Sequence, residues 1–274
     1  FVLLTMSNVV ETINYLDWNQ SMDILKKAYK INLFALIIGP KGTGKTSLAR
    51  KFASELGKNI FSVNFSLRTR ESHLVGTKTI ENGEINFVEG ILVKSMKKGG
   101  ILYLDELNAA EPDMLLRLDE ALDDRRQIIL KEAEGQVIKA SEGWFVVATI
   151  NPLSHVGTKE LPPQLLSRFP IRLNLDYPPE ETELEIIKQH TIVNNDNLIN
   201  IQRAIKLARS LREAAGVEEL FYGPSLRETI AFTKLLNIDT DPKIAAEIVF
   251  ANAYSQWGDV EYRKVMDMVV SIFG

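Results

Sequence analysis

The sequence predicts an α/β fold: a three-layer αβα core on a five-stranded parallel sheet, followed by a small all-helical domain. Three observations carry this. Apolar, β-rich segments alternate with helical segments as far as residue 175. The glycine-rich stretch GPKGTGKT, residues 39–46, falls between one such strand and the helix after it. Beyond Asp176-Tyr177-Pro178-Pro179 the pattern is helical, with no convincing strand.

In chain order, Met22, Leu25 and Tyr29 stand at helical spacing in residues 19–30, ahead of a buried-strand run over 33–38. A helix over 47–56 follows the glycine-rich loop and stops at Gly57. The alternating IFSVNF, 60–65, makes the second strand. Residues 72–90 hold two β-like pieces, VGTKTI and EINFVE, around Glu81-Asn82-Gly83, and Asn-Gly between alternating segments signals a hairpin. A helix over 90–98 leads into the strand 101–105, and Pro112 opens a helix striped by Met114, Leu115, Leu118 and Leu122. A second hairpin turns at Glu134-Gly135, within 127–145, before the fourth strand, 145–150. A short helix after Pro162-Pro163 precedes the fifth strand, 171–175. Helices are expected over 180–193, 197–214, 224–237, 242–256 and 259–272. The predicted division is therefore residues 1–178, a nucleotide-binding domain with two hairpin insertions, and 179–274, a helical domain.

Composition narrows the class of function. Net charge is −4, with 22 basic and 21 acidic side chains in residues 1–178 against 10 and 15 in 179–274. An acidic helical domain would repel a nucleic-acid backbone, so nucleic acid is not the expected partner. The absence of cysteine excludes disulfides and thiolate chemistry. His73, His155 and His190 show no metal-ligand spacing. No apolar run approaches the ~20 residues that span a bilayer, and the opening FVLLTMSNVV lacks a basic flank. A cytoplasmic protein is expected.

Gly39, Pro40, Lys41, Gly42, Thr43, Gly44, Lys45 and Thr46 fit G-x-x-x-x-G-K-[ST], in the strand-to-helix context that a phosphate-binding P-loop requires. Backbone N–H groups would close around the β-phosphate, with Ser47 as the next contact. Lys45 would reach the β- and γ-phosphates and the Thr46 hydroxyl would ligate Mg²⁺. The strand ILYL delivers Asp105 to the sheet's C-terminal edge to hold the metal's water shell, and Glu106 follows as general base for an attacking water. Asn151, after the fourth strand, emerges on the same edge, where an amide could touch the γ-phosphate or the water. Arg168, ending a short helix, would point across a subunit boundary as an arginine finger.

Taken in order and spacing, GPKGTGKT, ILYLDELNAA, VVATINP and LPPQLLSRFP resemble an AAA+ ATPase. The two hairpins, with ILVKSMKKGGILYLDELNAAEPDMLLRLDEALDDRR and HVGTKELPPQLLSRF, are similar to the MoxR group, including its CbbQ, NorQ and GvpN members. The resemblance covers roughly residues 15–235. It implies that Lys45 and Thr46 are Walker A residues, Asp105 and Glu106 Walker B, and Asn151 sensor 1. It also implies that Arg168 is the finger and that Arg227, in YGPSLRET, is sensor 2. Asn64, ending the second strand, sits where such ATPases restrain the catalytic glutamate. The implied molecule is a hexameric ring with Mg-ATP between subunits, remodelling or activating a partner that often carries a von Willebrand factor A domain. Pro40-Lys41 departs from the commoner PPGTGK loop, with a small expected effect, and residues after 235 match no pattern of the group.

Two other readings use the same cradle. A small-molecule kinase would want an arginine-rich closing lid, and the helical domain shows no arginine cluster. A nucleic-acid motor, helicase-loader or McrB-like, would want basic hairpin tips, and TKTIENGEIN and KEAEGQ are mixed or acidic.

Overall fold

The computed structural model describes residues 13–66, 69–81, 84–152 and 159–274. The opening FVLLTMSNVV, the Asn82-Gly83 turn and His155 lie outside the described residues. Two compact units emerge, one of Asn19–Pro40 and Lys45–Leu175, the other of Asn14–Trp18, Lys41–Gly44 and Asp176–Gly274.

In the first unit α1 (Ser21–Lys30) precedes β1 (Ala35–Ile38), and α2 (Lys45–Glu55) precedes β2 (Ile60–Asn64). A single turn, α3 (Glu71–Leu74), leads to β3 (Gly76–Glu81) and β4 (Glu84–Glu89), which pair antiparallel from Gly76↔Glu89 to Glu81↔Glu84. Next come α4 (Ile91–Lys98), β5 (Ile101–Asp105) and α5 (Pro112–Leu122). The strands β6 (Gln127–Leu130) and β7 (Gln136–Lys139) pair antiparallel across a turn in which Glu134 and Gly135 both take positive φ. Then β8 (Phe145–Ile150), α6 (Pro163–Ser167) and β9 (Ile171–Asn174) complete the unit.

The five long strands form one parallel sheet in the order β2-β5-β8-β1-β9. Ile101–Leu104 of β5, Ala35–Ile37 of β1 and Phe145–Thr149 of β8 are buried at consecutive positions, so both faces of the sheet are covered. The edge strand β2 instead alternates. Beneath β1 and β8 the rings of Tyr29, Phe34, Phe52, Trp144 and Phe145 meet edge-on or tilted, with centroids 5.4–6.2 Å apart.

In the second unit α7 (Glu180–His190) packs Ile187 against Ile201 and Ile205 of α8 (Asn195–Gly216), while α8, α9 (Leu226–Leu236), α10 (Pro242–Val249) and α11 (Asp259–Phe273) surround a core of Leu207, Leu211, Phe232, Phe250, Tyr254 and Val265. Asn194 caps α8 and Ser225 caps α9, each in a reciprocal capping box. The helix expected over 242–256 is corrected: α10 ends at Val249, and Ala251–Trp257 is a 3₁₀ segment. A 3₁₀ turn repeats every three residues, which stacks Ala251, Tyr254 and Trp257 on one side. There Ala251 and Tyr254 are buried, and the Tyr254 hydroxyl donates to the Tyr222 carbonyl.

Candidate active site

Strand order does the first part of the assembly. With β5, β8 and β1 adjacent, the C-terminal ends carrying Asp105, Asn151 and Gly39 fall in one row. β1 lies between β8 and β9, so the chain leaves β1 at a switch point, where open α/β sheets bind ligands. The row extends past the strands themselves. Gly39 N–H donates to the Ile150 carbonyl at 3.2 Å, and Phe65 N–H to the Asp105 carbonyl at 3.0 Å.

At the loop, Gly39 meets the end of β9 so closely that a Cβ there would lie 1.9 Å from the Leu175 carbonyl oxygen. The middle of the loop, Lys41–Gly44, belongs with the helical unit. The Tyr177 hydroxyl donates to the Lys41 carbonyl at 2.8 Å, and burial pushes that phenol up to about 12, so it stays a donor at neutral pH. Gly42 takes φ +76°, and a Cβ there would come within 2.1 Å of Ser225 Cβ. Thr43 is buried, and Ser47 is half-buried in the first turn of α2.

Lys45 opens α2, and its ammonium is buried. It donates to the carbonyls of Gly39 and Pro40, both at 2.6 Å, and to Asn151 Oδ1 at 3.0 Å. A desolvated ammonium at a helix N-terminus, inside a glycine loop, is a site matched to a phosphate anion.

Thr46 and Asp105 lie side by side, Oγ1 to Oδ2 at 3.5 Å. One hydroxyl and one carboxylate are hard oxygen donors, the set that suits Mg²⁺ bound together with a nucleotide. Asp105 Oδ1 accepts the Thr149 hydroxyl at 2.7 Å and the Tyr103 hydroxyl at 2.9 Å. The Tyr103 hydroxyl also lies 3.1 Å from Thr46 Oγ1. Burial, then the Asp105 charge, raises the Tyr103 phenol far above its ordinary value. Asn64 Nδ2 makes a long 3.5 Å contact to Asp105 Oδ2.

Glu106 leaves the strand in the left-handed region, φ 55° and ψ 44°, a conformation that costs a non-glycine residue about 1–3 kcal/mol. Its N–H donates to Thr149 Oγ1 at 3.0 Å. Asn151 is held from behind by Asn108, which is buried. Asn108 Nδ2 donates to the Asn151 carbonyl at 2.9 Å, and Asn151 N–H donates to Asn108 Oδ1 at 3.3 Å.

The structure thus brings Lys45, Thr46, Asp105 and Asn151 together, with Glu106 next in chain. Arg168 stands apart from them: at the C-cap of α6 it pairs with Asp119 of α5, Nε to Oδ1 at 2.9 Å. That hydrogen bond, with the charges of Asp119, Asp123 and Asp124, raises its pKa. Arg227 is exposed at the start of α9. Sequence reasoning missed Tyr103, Thr149 and Asn108. Tyr103 and Thr149 were available as a signal, since each is the polar residue two positions before Asp105 or Asn151, hence on the same strand face.

Residues 35–169 match the AAA domain of the dynein-related subfamily. A Staphylococcus saprophyticus protein of uncharacterized function is 34% identical over 205 residues, covering 73% of this chain and 76% of its own. An uncharacterized Staphylococcus aureus protein is 36% identical over 192 residues, 68% of this chain and 71% of that one. Among solved structures, a candidate ATPase from Cytophaga hutchinsonii aligns over 93% of this chain and 90% of that chain, with TM-score 0.51 and 19% identity. A closed-state reconstruction of Hsp104 with ATPγS and FITC-casein aligns over 61% of this chain and 34% of that one, with TM-score 0.50 and 22% identity. At those identities the two structures speak to the fold, which is that of AAA+ P-loop ATPases.

Proposed function

Since the chain belongs to the AAA family, dynein-related subfamily, we propose that it is a MoxR-type ATPase that couples ATP hydrolysis to remodelling or activation of a partner protein. The observation that carries the hydrolytic half is the meeting of the loop lysine, Lys45, with Asn151, beside the Thr46–Asp105 pair. A phosphate group entering the loop would give the Lys45 ammonium a charge-assisted hydrogen bond at a buried site. Thr46 and Asp105 would hold Mg²⁺, which would supply positive charge beside the phosphate oxygens of bound ATP. Glu106 takes the proton of the attacking water, and Asn151 orients the water or the γ-phosphate.

The mechanical half rests on the motif resemblance and on the arginines. Arg168, ion-paired but 29% exposed, is available to an adjoining subunit, where it would stabilise transition-state charge. Arg227, exposed on the helical unit, is the lid's reporter on the γ-phosphate. The working form is a cytoplasmic hexameric ring, and its client is a protein, with a von Willebrand factor A domain as the first candidate. No helix among the described residues is long and apolar enough to cross a membrane. The hairpin β3–β4 presents Ile80 and Ile85 as an exposed cross-strand pair, and β6–β7 exposes Ile129 and Val137. Apolar hairpin surfaces favour a protein client over nucleic acid, which favours the MoxR-type reading over a helicase-loader or McrB-like motor.

The test of hydrolysis is Glu106→Gln. Radiolabelled ATP should still bind with wild-type affinity while phosphate release falls by about 10²-fold or more. Undiminished release from this variant removes Glu106 as the base.

A further inference from the structure

We propose that Tyr103 and Thr149 are positioning residues that aim the Mg²⁺-binding pair, Thr46 and Asp105; this rests on the ATP-binding reading above. The hydrogen bonds form a directed chain. Tyr103 Oη donates to Asp105 Oδ1 at 2.9 Å, so its single proton is used there. The 3.1 Å contact with Thr46 must then run the other way, with Thr46 Oγ1 donating to the phenol oxygen. A hydroxyl that ligates a cation offers its lone pair to the metal and needs an acceptor for its proton. Tyr103 is that acceptor, closer than Asp105 Oδ2 at 3.5 Å.

Thr149 acts on the same carboxylate from β8. Its hydroxyl donates to Asp105 Oδ1 at 2.7 Å and accepts the Glu106 N–H at 3.0 Å. Oδ1 therefore carries two short bonds from buried hydroxyls, while among the described residues Thr46 Oγ1 and Asn64 Nδ2 each approach Oδ2 at 3.5 Å. The carboxylate is anchored through one oxygen and presented through the other. Because Thr149 also holds the Glu106 backbone, the metal-binding carboxylate and the following glutamate share one anchor. Tyr103→Phe and Thr149→Val keep the side-chain volume in strands whose neighbouring positions, Leu102, Leu104, Val147 and Ala148, are apolar and buried.

The experiment measures binding and not turnover. A fluorescent, non-hydrolysable ATP analogue is titrated into wild-type, Tyr103→Phe and Thr149→Val protein, in EDTA and then with increasing Mg²⁺. Unfolding midpoints are recorded on the same samples. Each variant should bind the analogue in EDTA within twofold of wild type, since Lys45 and the loop are untouched. Each should need about tenfold more Mg²⁺ for half of the metal-dependent gain, the effect of losing one hydrogen bond to a charged group. Unchanged Mg²⁺ midpoints in both variants overturn the positioning role. Equal loss with and without Mg²⁺ overturns it too, because that is the signature of general damage. The two variants are independent, so if one fails to fold the other still decides. Wild-type protein that binds no analogue under any condition defeats the ATP reading itself, a result distinct from both.

Discussion

Asn108 shows how a residue outside the catalytic set controls it. Its side-chain amide uses both donor and acceptor on the backbone of Asn151, in a buried position where water cannot substitute. Asn108→Ala leaves two backbone groups of Asn151 without that partner, which should lower unfolding free energy by about 1–3 kcal/mol in urea titrations. Phosphate release should fall further than the stability loss explains, because Asn151 Oδ1 loses its aim at Lys45. Glu106 adds a second residue-scale device, its left-handed backbone breaking the strand's alternation at the point where Asp105 and Glu106 must both serve one site. The motif residues were legible in the sequence because their chemistry needs fixed residue types at fixed spacing. Asn108 was not, since its partner lies 43 positions away; Tyr103 and Thr149 carried a signal, each two positions before a motif residue, that went unread because Tyr103 passes for one more core aromatic and Thr149 for one more strand residue.

At the scale of elements, local signals placed the ends of helices well. Gly57 follows the end of α2 and Pro112 opens α5, whereas the Ser225-to-Glu228 box that starts α9 at Leu226, two residues inside the expected 224–237, is seen in the structure. The same box positions Ser225 against Gly42, so cap and loop share a residue. Ser225→Ala should cost about 1 kcal/mol of thermal or urea stability through the lost cap, with a larger loss meaning that the Gly42 contact also matters. The break after α10 was not legible. Residues 242–256 carry a helical apolar pattern, and in the 3₁₀ turn that replaces its second half Tyr254 packs against Tyr222 and donates to its carbonyl, a long-range contact no local pattern records. The exposed apolar pairs on the two hairpins follow from strand alternation, but their register, such as Ile80 opposite Ile85, is a property of the pairing itself.

For the whole molecule, the proposed ring makes a quantitative demand on Arg168. If it acts in an adjoining site, Arg168→Ala and Lys45→Ala homomers should both be inactive, while mixtures regain part of wild-type ATPase activity through sites that combine an intact loop with an intact finger. Mixtures that stay inactive would place Arg168 in its ion pair with Asp119 alone. Light scattering with a non-hydrolysable analogue should show a hexamer, and a monomer throughout would end the mechanical reading. The fold class, the five sheet strands, the loop and the acidic pair could be read from the chain, because periodicity, turn chemistry and motif spacing are encoded over short stretches. Tertiary structure alone decided the strand order β2-β5-β8-β1-β9, which brings Lys45 to Asn151 across 106 positions. It also decided which buried hydroxyls hold Asp105. Those choices depend on which strands share a backbone ladder, a long-range competition among similar apolar segments that no local pattern records.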